Sequence, residues 1–126
     1  MKQEGLSLME LMIALAIVAI IAGMAFPKYQ KMVARSKQTE AKTILQAIYM
    51  GQDVYKTSNQ TYADTIDDLD IQIPTDVKYA YSITTDNNGT TFEARALANI
   101  DTDSIIDEWV IDHNNNLENR TNDVIE

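Results

Sequence analysis

Gly5-Leu6-Ser7-Leu8-Met9-Glu10-Leu11-Met12-Ile13-Ala14-Leu15-Ala16-Ile17-Val18-Ala19-Ile20-Ile21-Ala22-Gly23-Met24-Ala25-Phe26 runs directly into Pro27. A helix from Leu6 to Phe26, at roughly 1.5 Å per residue, spans about 31 Å, the thickness of a bilayer's hydrocarbon core. Glu10 is the only ionisable residue in that span. A lone charge in such a segment costs roughly 2.5–3.5 kcal/mol on insertion scales, so it marks a functional site by default. A carboxylate among apolar helices needs a partner, and the span holds no lysine or arginine to supply one.

Met1 to Gly5 is short and polar. A secretory signal peptide carries a shorter apolar region closed by a small-residue cleavage site. Here the apolar run is longer, and the small residue, Gly5, lies before it. Two readings stand: an uncleaved anchor, or a leader cut on the cytoplasmic side ahead of the helix. Lys28, Lys31, Arg35 and Lys37 after the span oppose Lys2 before it, so charge alone leaves the orientation open.

Beyond Pro27 the helical pattern resumes. Ala41, Leu45, Ile48, Gln52 and Tyr55 recur at helical spacing, with Ile44 and Val54 widening the stripe. Lys37, Glu40, Lys42, Gln46 and Asp53 occupy the other face, where Lys37 and Glu40 stand three apart and within pairing reach. Thr57 to Thr61 stops the helix, and Tyr62 to Asp70 is an acidic connector. Tyr79–Thr85, Thr90–Ala98, Glu108–Asp112 and Leu117–Arg120 read as strands. Asn88-Gly89 between the first two is a hairpin signal, and Trp109 is the expected core anchor. The fold class is α+β: a long N-terminal helix, its apolar half protruding and its amphipathic half packed on a small three- to four-stranded antiparallel sheet. The expected boundaries are 1–5 for the leader, 6–27 for the hydrophobic helix, 28–57 for its amphipathic continuation and 58–126 for an acidic head.

The net charge of −9 is unevenly placed. Up to Thr57 there are seven basic against four acidic residues, and from Ser58 onward three against fifteen. Phosphate binding wants a positive surface, so nucleic acid is not expected as a partner of the head. The chain has no cysteine, which excludes disulfides and thiolate chemistry.

The N-terminus, Gly5 followed by Leu6-Ser7-Leu8-Met9-Glu10-Leu11, the apolar span and Pro27, resembles that of type IV pilins and type II secretion pseudopilins. Ala34–Thr43, Ala47–Tyr55 and Asn59-Gln60-Thr61-Tyr62 are more similar to true pilins. In the second half the similarity rests on strand order and on Ile106–Asp112. The resemblance implies a structural subunit of a helical homo-oligomeric filament, not an enzyme, serving adhesion, motility or related surface functions. It implies leader removal after Gly5 by a prepilin peptidase, N-methylation of Leu6, and pairing of Glu10 with the terminal amine of a neighbouring subunit. Pro27 falls on the family's helix-kinking proline. Leu6 departs from the usual phenylalanine. The implied partners are the peptidase, a pilus assembly platform and the bacterial inner membrane that stores the precursor before it enters the extracellular filament. The alternatives are a pseudopilin of a type II secretion system and a membrane-anchored periplasmic binding or enzyme domain.

Gly23 and Pro27 mark the most breakable part of the helix, so helix is expected to be lost between about Ala19 and Pro27 in the assembled filament. Asp101, Asp103 and Asp107, with Glu108 adjoining, gather carboxylates in one loop. Such oxygen-rich loops hold Ca²⁺, and a solvated acidic loop is the alternative. No other cofactor is expected. Asp112, Asn114 and Asn116 read as a hairpin turn, and Asn88 heads one of three Asn-x-Thr sequons and is the candidate for glycosylation.

Overall fold

The computed structural model describes residues 4–124. One helix, α1, runs from Leu8 to Asn59. A single 3-10 turn, Ile66–Asp68, precedes four strands: β1 (Ala80–Thr85), β2 (Phe92–Ala98), β3 (Asp107–Asp112) and β4 (Leu117–Thr121). The strands form one antiparallel meander in chain order. Two compact units meet between Val33 and Ala34, a later division than the one drawn at Pro27 from the sequence.

In the first unit residues 4–30 are all exposed. The helix runs through Gly23 and Pro27 without interruption. Pro27 has no N–H, so the carbonyl of Gly23 lacks its usual helical donor. A side chain on Gly23 would meet nothing within 4 Å, so close packing inside this chain does not require glycine there.

In the second unit Ala34, Gln38, Ala41, Ile44, Leu45, Ile48 and Gln52 are the buried stripe of α1. They share a core with Phe92, Ala94, Ala96 and Ala98 of β2 and Ile111 of β3. Three alanines on one central strand leave room for a helix to lie close to the sheet. Val54, expected to widen the stripe, is instead exposed. Trp109 is only partly buried, with the Lys42 ammonium 4.5 Å from its ring centre, and Ile111 is the fully buried apolar residue of its strand face. Lys37 and Glu40 do not pair with each other: Lys37 donates to the Ile100 carbonyl at 2.9 Å, and Glu40 accepts from the Lys78 N–H at 2.9 Å. Each finds a stronger, backbone-anchored partner across the fold.

The outer face of the sheet carries Glu93, Arg95, Val110, Glu118 and Arg120. Arg120 bridges Glu93 at 2.6 Å and Glu118 at 2.9 Å, and Arg95 holds Glu93 at 2.7 Å. Val110 lies in register with Arg95 and Glu118 and is buried, as long charged side chains with apolar stems allow.

Two turns depend on carboxylates. Asp86 accepts from the N–H groups of Thr90 and Thr91 and from the Thr90 hydroxyl. The connection is therefore a longer loop, not a two-residue turn centred on Asn88-Gly89. Only Gly89 there has positive φ, at 63°, and a Cβ on it would stand 2.9 Å from Thr61. Asp112 accepts from the N–H groups of Asn114 and Asn116, making the expected β3–β4 turn.

Candidate functional site

Three loci carry the candidate residues. The first is the start of α1. Gly5 and Leu6 are exposed and precede the helix. Ser7 is followed at three residues by Glu10, and the two cap each other. The Glu10 carboxylate accepts the Ser7 N–H at 2.7 Å, and the Ser7 hydroxyl accepts the Glu10 N–H at 3.2 Å. This is a capping box, which satisfies two of the donors that a helix start leaves orphaned. Glu10 also sits where the positive end of the helix dipole favours an anion. Ser-x-x-Glu ahead of an apolar run is the sequence signal for this cap, and it identifies Ser7 as a functional residue beside Glu10.

The second locus is built around Asp107, at the start of β3 and fully buried. Its carboxylate accepts from Gln38 of α1 at 2.9 Å, Asn119 of β4 at 3.1 Å and the Asp123 N–H at 3.0 Å. On its other oxygen it accepts the Tyr79 hydroxyl at 2.6 Å. Burial, and then the Asp107 carboxylate, hold the Tyr79 phenol well above its ordinary range. Asp107 is thus saturated by protein donors from four segments. It ties helix, sheet and C-terminal segment together in a chain that has no disulfide to do so.

The third locus is what the acidic loop becomes. Asp101 and Asp103 meet Asp123, not Asp107, with one carboxylate oxygen from each within 4.8 Å of the others. Asp103 N–H donates to Asp101 at 2.8 Å, which curls the loop. Asp123 is 1% exposed. One of its oxygens accepts the Ile100 N–H at 2.8 Å, and the other is buried without a partner among the described residues. Burial raises the Asp123 carboxyl above its ordinary range, the Ile100 N–H opposes this, and neighbouring Asp103 and Asp101 add to the rise. Hard oxygen donors of this kind suit Ca²⁺, which accepts carboxylates and loop carbonyls in a flexible shell. Asp123 lay outside the sequence reading because twenty residues separate it from Asp103.

Asn88 is exposed in the β1–β2 loop. Asn119, heading another sequon, is committed to Asp107 through its amide.

Residues 1–26 match the model of the prokaryotic N-terminal methylation motif, and residues 38–111 match the family model described as type IV pilin-like G and H. The type IV major pilin protein PilA of Myxococcus xanthus is 37% identical over 82 residues, covering 65% of this chain and 37% of PilA. A fimbrial protein of Neisseria meningitidis is 33% identical over 105 residues, covering 78% of this chain and 58% of that protein. The fimbrial protein EcpC of Eikenella corrodens is 54% identical over 39 residues, covering 31% of this chain and 26% of EcpC. The chain therefore spans less than two thirds of the length of the curated relatives it matches. With the family model covering more than half of its residues, on a long helix packed against a four-stranded antiparallel sheet, this chain belongs to the type IV pilin family.

Proposed function

We propose that the chain is a structural subunit of a type IV pilus, assembled through its N-terminal helix. One observation carries the reading most: an apolar helical stretch of membrane-spanning length stands exposed over its whole length, with one carboxylate at its start. An apolar surface on every side of a helix needs cover from lipid or from several other helices. Burial relative to water is worth roughly 1.5–3 kcal/mol per large side chain, but relative to lipid the difference is small. Storage in the inner membrane and assembly outside it then lie close in free energy. The names of the relatives, a major pilin and fimbrial proteins, favour a pilus over a secretion pseudopilus and a structural over a catalytic role.

In this reading a prepilin peptidase cuts between Gly5 and Leu6 and methylates the new amine. That amine lies beside the capping box. Glu10 can serve its own helix start or the amine of a neighbour, and pairing with a neighbour fixes the stagger between copies. An assembly platform takes the subunit from membrane to filament. Glu10→Gln keeps the shape and removes the charge, and filament yield is expected to fall at least about tenfold. Normal yield and length would remove the pairing. A mature N-terminus at Met1 would remove the processing.

We also propose a divalent cation, Ca²⁺ by its preference for hard oxygen ligands, at Asp101, Asp103 and Asp123. The second Asp123 oxygen, buried and without a partner among the described residues, supports it. Millimolar Ca²⁺ is expected to raise the melting temperature of the chain, and Asp123→Asn to abolish that rise while keeping an acceptor for Ile100. No shift in the unaltered chain would remove the cation.

A further inference from the structure

The C-terminal stretch of α1 borders a groove of about 550 Å³. One wall is the helix, with Met50, Gly51 and Val54. The other is the connector, with Asp68, Asp70 and Ile71. Met50 and Val54 are 63% and 68% exposed, unusual for large apolar side chains on a packed helix. Gly51 lets the connector come close: a Cβ there would stand 3.0 Å from Ile71 and 3.4 Å from Leu69. The groove is therefore apolar on one side and acidic on the other.

Residues 26–35 of the same helix carry the complementary asymmetry. At 100° per residue, Phe26, Tyr29, Met32 and Val33 fall within one arc, and Lys28, Lys31 and Arg35 fall beside it. Phe26, Tyr29 and Met32 are each about 60% exposed, and among the described residues no ion pair involves Lys28, Lys31 or Arg35.

We propose that this groove receives the Phe26–Arg35 stretch of a second copy of the chain. Tyr29 and Met32 lie against Met50 and Val54, while Lys28 and Lys31 reach Asp68 and Asp70. The occupant is chosen by the match of both walls at once, since an apolar helix without a basic flank leaves the carboxylates unpaired and a basic peptide without an apolar arc leaves Met50 and Val54 in water. Opposite charges at the rim set orientation and exclude the reversed docking more than they add affinity. The inference rests on the filament reading and names a surface through which copies meet.

Because the chain has no cysteine, introduced pairs report single contacts. In filaments purified from cells carrying the full chain as Tyr29→Cys with Val54→Cys, mild oxidation is expected to give a ladder of covalent oligomers. Tyr29→Cys paired with Asn87→Cys, an exposed position in the β1–β2 loop, is expected to give none. Separately, Asp68→Lys with Asp70→Lys is expected to lower filament yield at least about tenfold through like-charge contact, and adding Lys28→Asp with Lys31→Asp to restore it. The tryptophan fluorescence of the soluble-detergent subunit checks that the charge variants fold. Filaments without a ladder, a ladder equal to the control, a yield that stays normal, or a loss that the reciprocal swap leaves uncorrected overturns the groove and leaves the pilin reading standing. A groove cysteine that crosslinks to a different protein does the same. An unaltered chain that makes no filament overturns both.

Discussion

The two halves of α1 obey the same local rules and reach opposite ends. The first half is apolar on every side and exposed. The second half buries one stripe, from Ala34 to Gln52, in the core and leaves few large apolar residues, Met50 and Val54 among them, exposed off it. Their polar groups differ as much. Gln52, fully buried, exchanges two hydrogen bonds of 2.8 Å with the backbone of Ala63, and Gln38 reaches Asp107 and Asn122. Among the described residues Glu10, in the first half, finds donors only within its own first turn. A stripe commits a helix to one partner that the same chain can supply. An all-round apolar surface commits it to several partners that one chain cannot supply. The difference separates a folding element from an assembly element within one helix.

The sharpest way to break this comparison is to remove the group that completes the head. Asp107→Ala leaves the donors of Gln38, Tyr79, Asn119 and Asp123 without their acceptor. Breaking a buried charged network of this kind costs about 3–5 kcal/mol, and more if the donors stay dry. Thermal denaturation of the detergent-solubilised chain should show the head melting far lower, at about 4–8 °C per kcal/mol for a domain of this size. A loss below about 1 kcal/mol would mean that water replaces the carboxylate and that the head is not held by it.

The next test sets one half directly against the other. Leu45 is fully buried and Leu15 is exposed. Leu45→Ala removes core volume and is expected to cost about 3 kcal/mol, read as a lower melting temperature. Leu15→Ala should leave the melting temperature of the subunit unchanged and lower filament yield. Equal effects on melting would erase the distinction between folding and assembly surfaces.

Most of the architecture was legible because it rests on short-range patterns. The 3.6-residue stripe from Ala41 to Gln52 and the alternation in Phe92–Ala98 are properties of neighbouring residues. The carboxylate turn at Asp112 is equally local. What escaped depends on long-range closure. Asp107 looked like one more acid in an acidic loop, and its partners lie as far away as Gln38. Asp123 joins Asp101 and Asp103 only because the chain after β4 folds back. Val54 stands two residues, about 200° of helix, beyond Gln52 and so faces away from the buried stripe it was expected to widen, and its exposure is what frames the groove. Ser7, by contrast, is a local signal, since Ser-x-x-Glu needs only one helical turn to be read.

Ser7 supplies a smaller effect with a sharper meaning. Ser7→Ala removes one half of the capping box, at about 1 kcal/mol of local helix stability. Amide hydrogen exchange in the first turns of α1 should quicken, while the head's melting temperature stays put. Filament yield then separates two roles for Glu10. If its carboxylate matters as a cap, Ser7→Ala and Glu10→Ala reduce yield alike. If it matters as a partner for a neighbour's amine, Ser7→Ala leaves yield within about threefold of normal, since the substitution removes only the hydroxyl that accepts the Glu10 N–H and leaves the carboxylate and its backbone donor in place.

The smallest expected effect is on the response to acid, which should strike one half and spare the other. The Arg120 guanidinium, and then that of Arg95, hold the Glu93 carboxyl below its ordinary range against the opposing effect of burial. The Thr90 hydroxyl and the N–H of Thr91 do the same for Asp86. Burial pushes Asp112 upward, but the N–H groups of Asn116 and Asn114 outweigh it. A carboxyl depressed in the folded state contributes stability above its unfolded pKa, about 3.9 for Asp and 4.3 for Glu, and loses it as pH falls through the folded value. All three lie in the head. Below about pH 4 the fluorescence of Trp109, the only tryptophan, should therefore report loosening of the sheet while the helical circular-dichroism signal from the first half of α1 persists. Glu93→Gln should flatten the acid limb only slightly, because exposed ion pairs are worth at most about 1 kcal/mol, and 1 M salt should have a similar effect on the unaltered chain. If the helical signal fell together with the fluorescence, α1 would be melting as one element, and the two halves would share a stability that their burial says they do not.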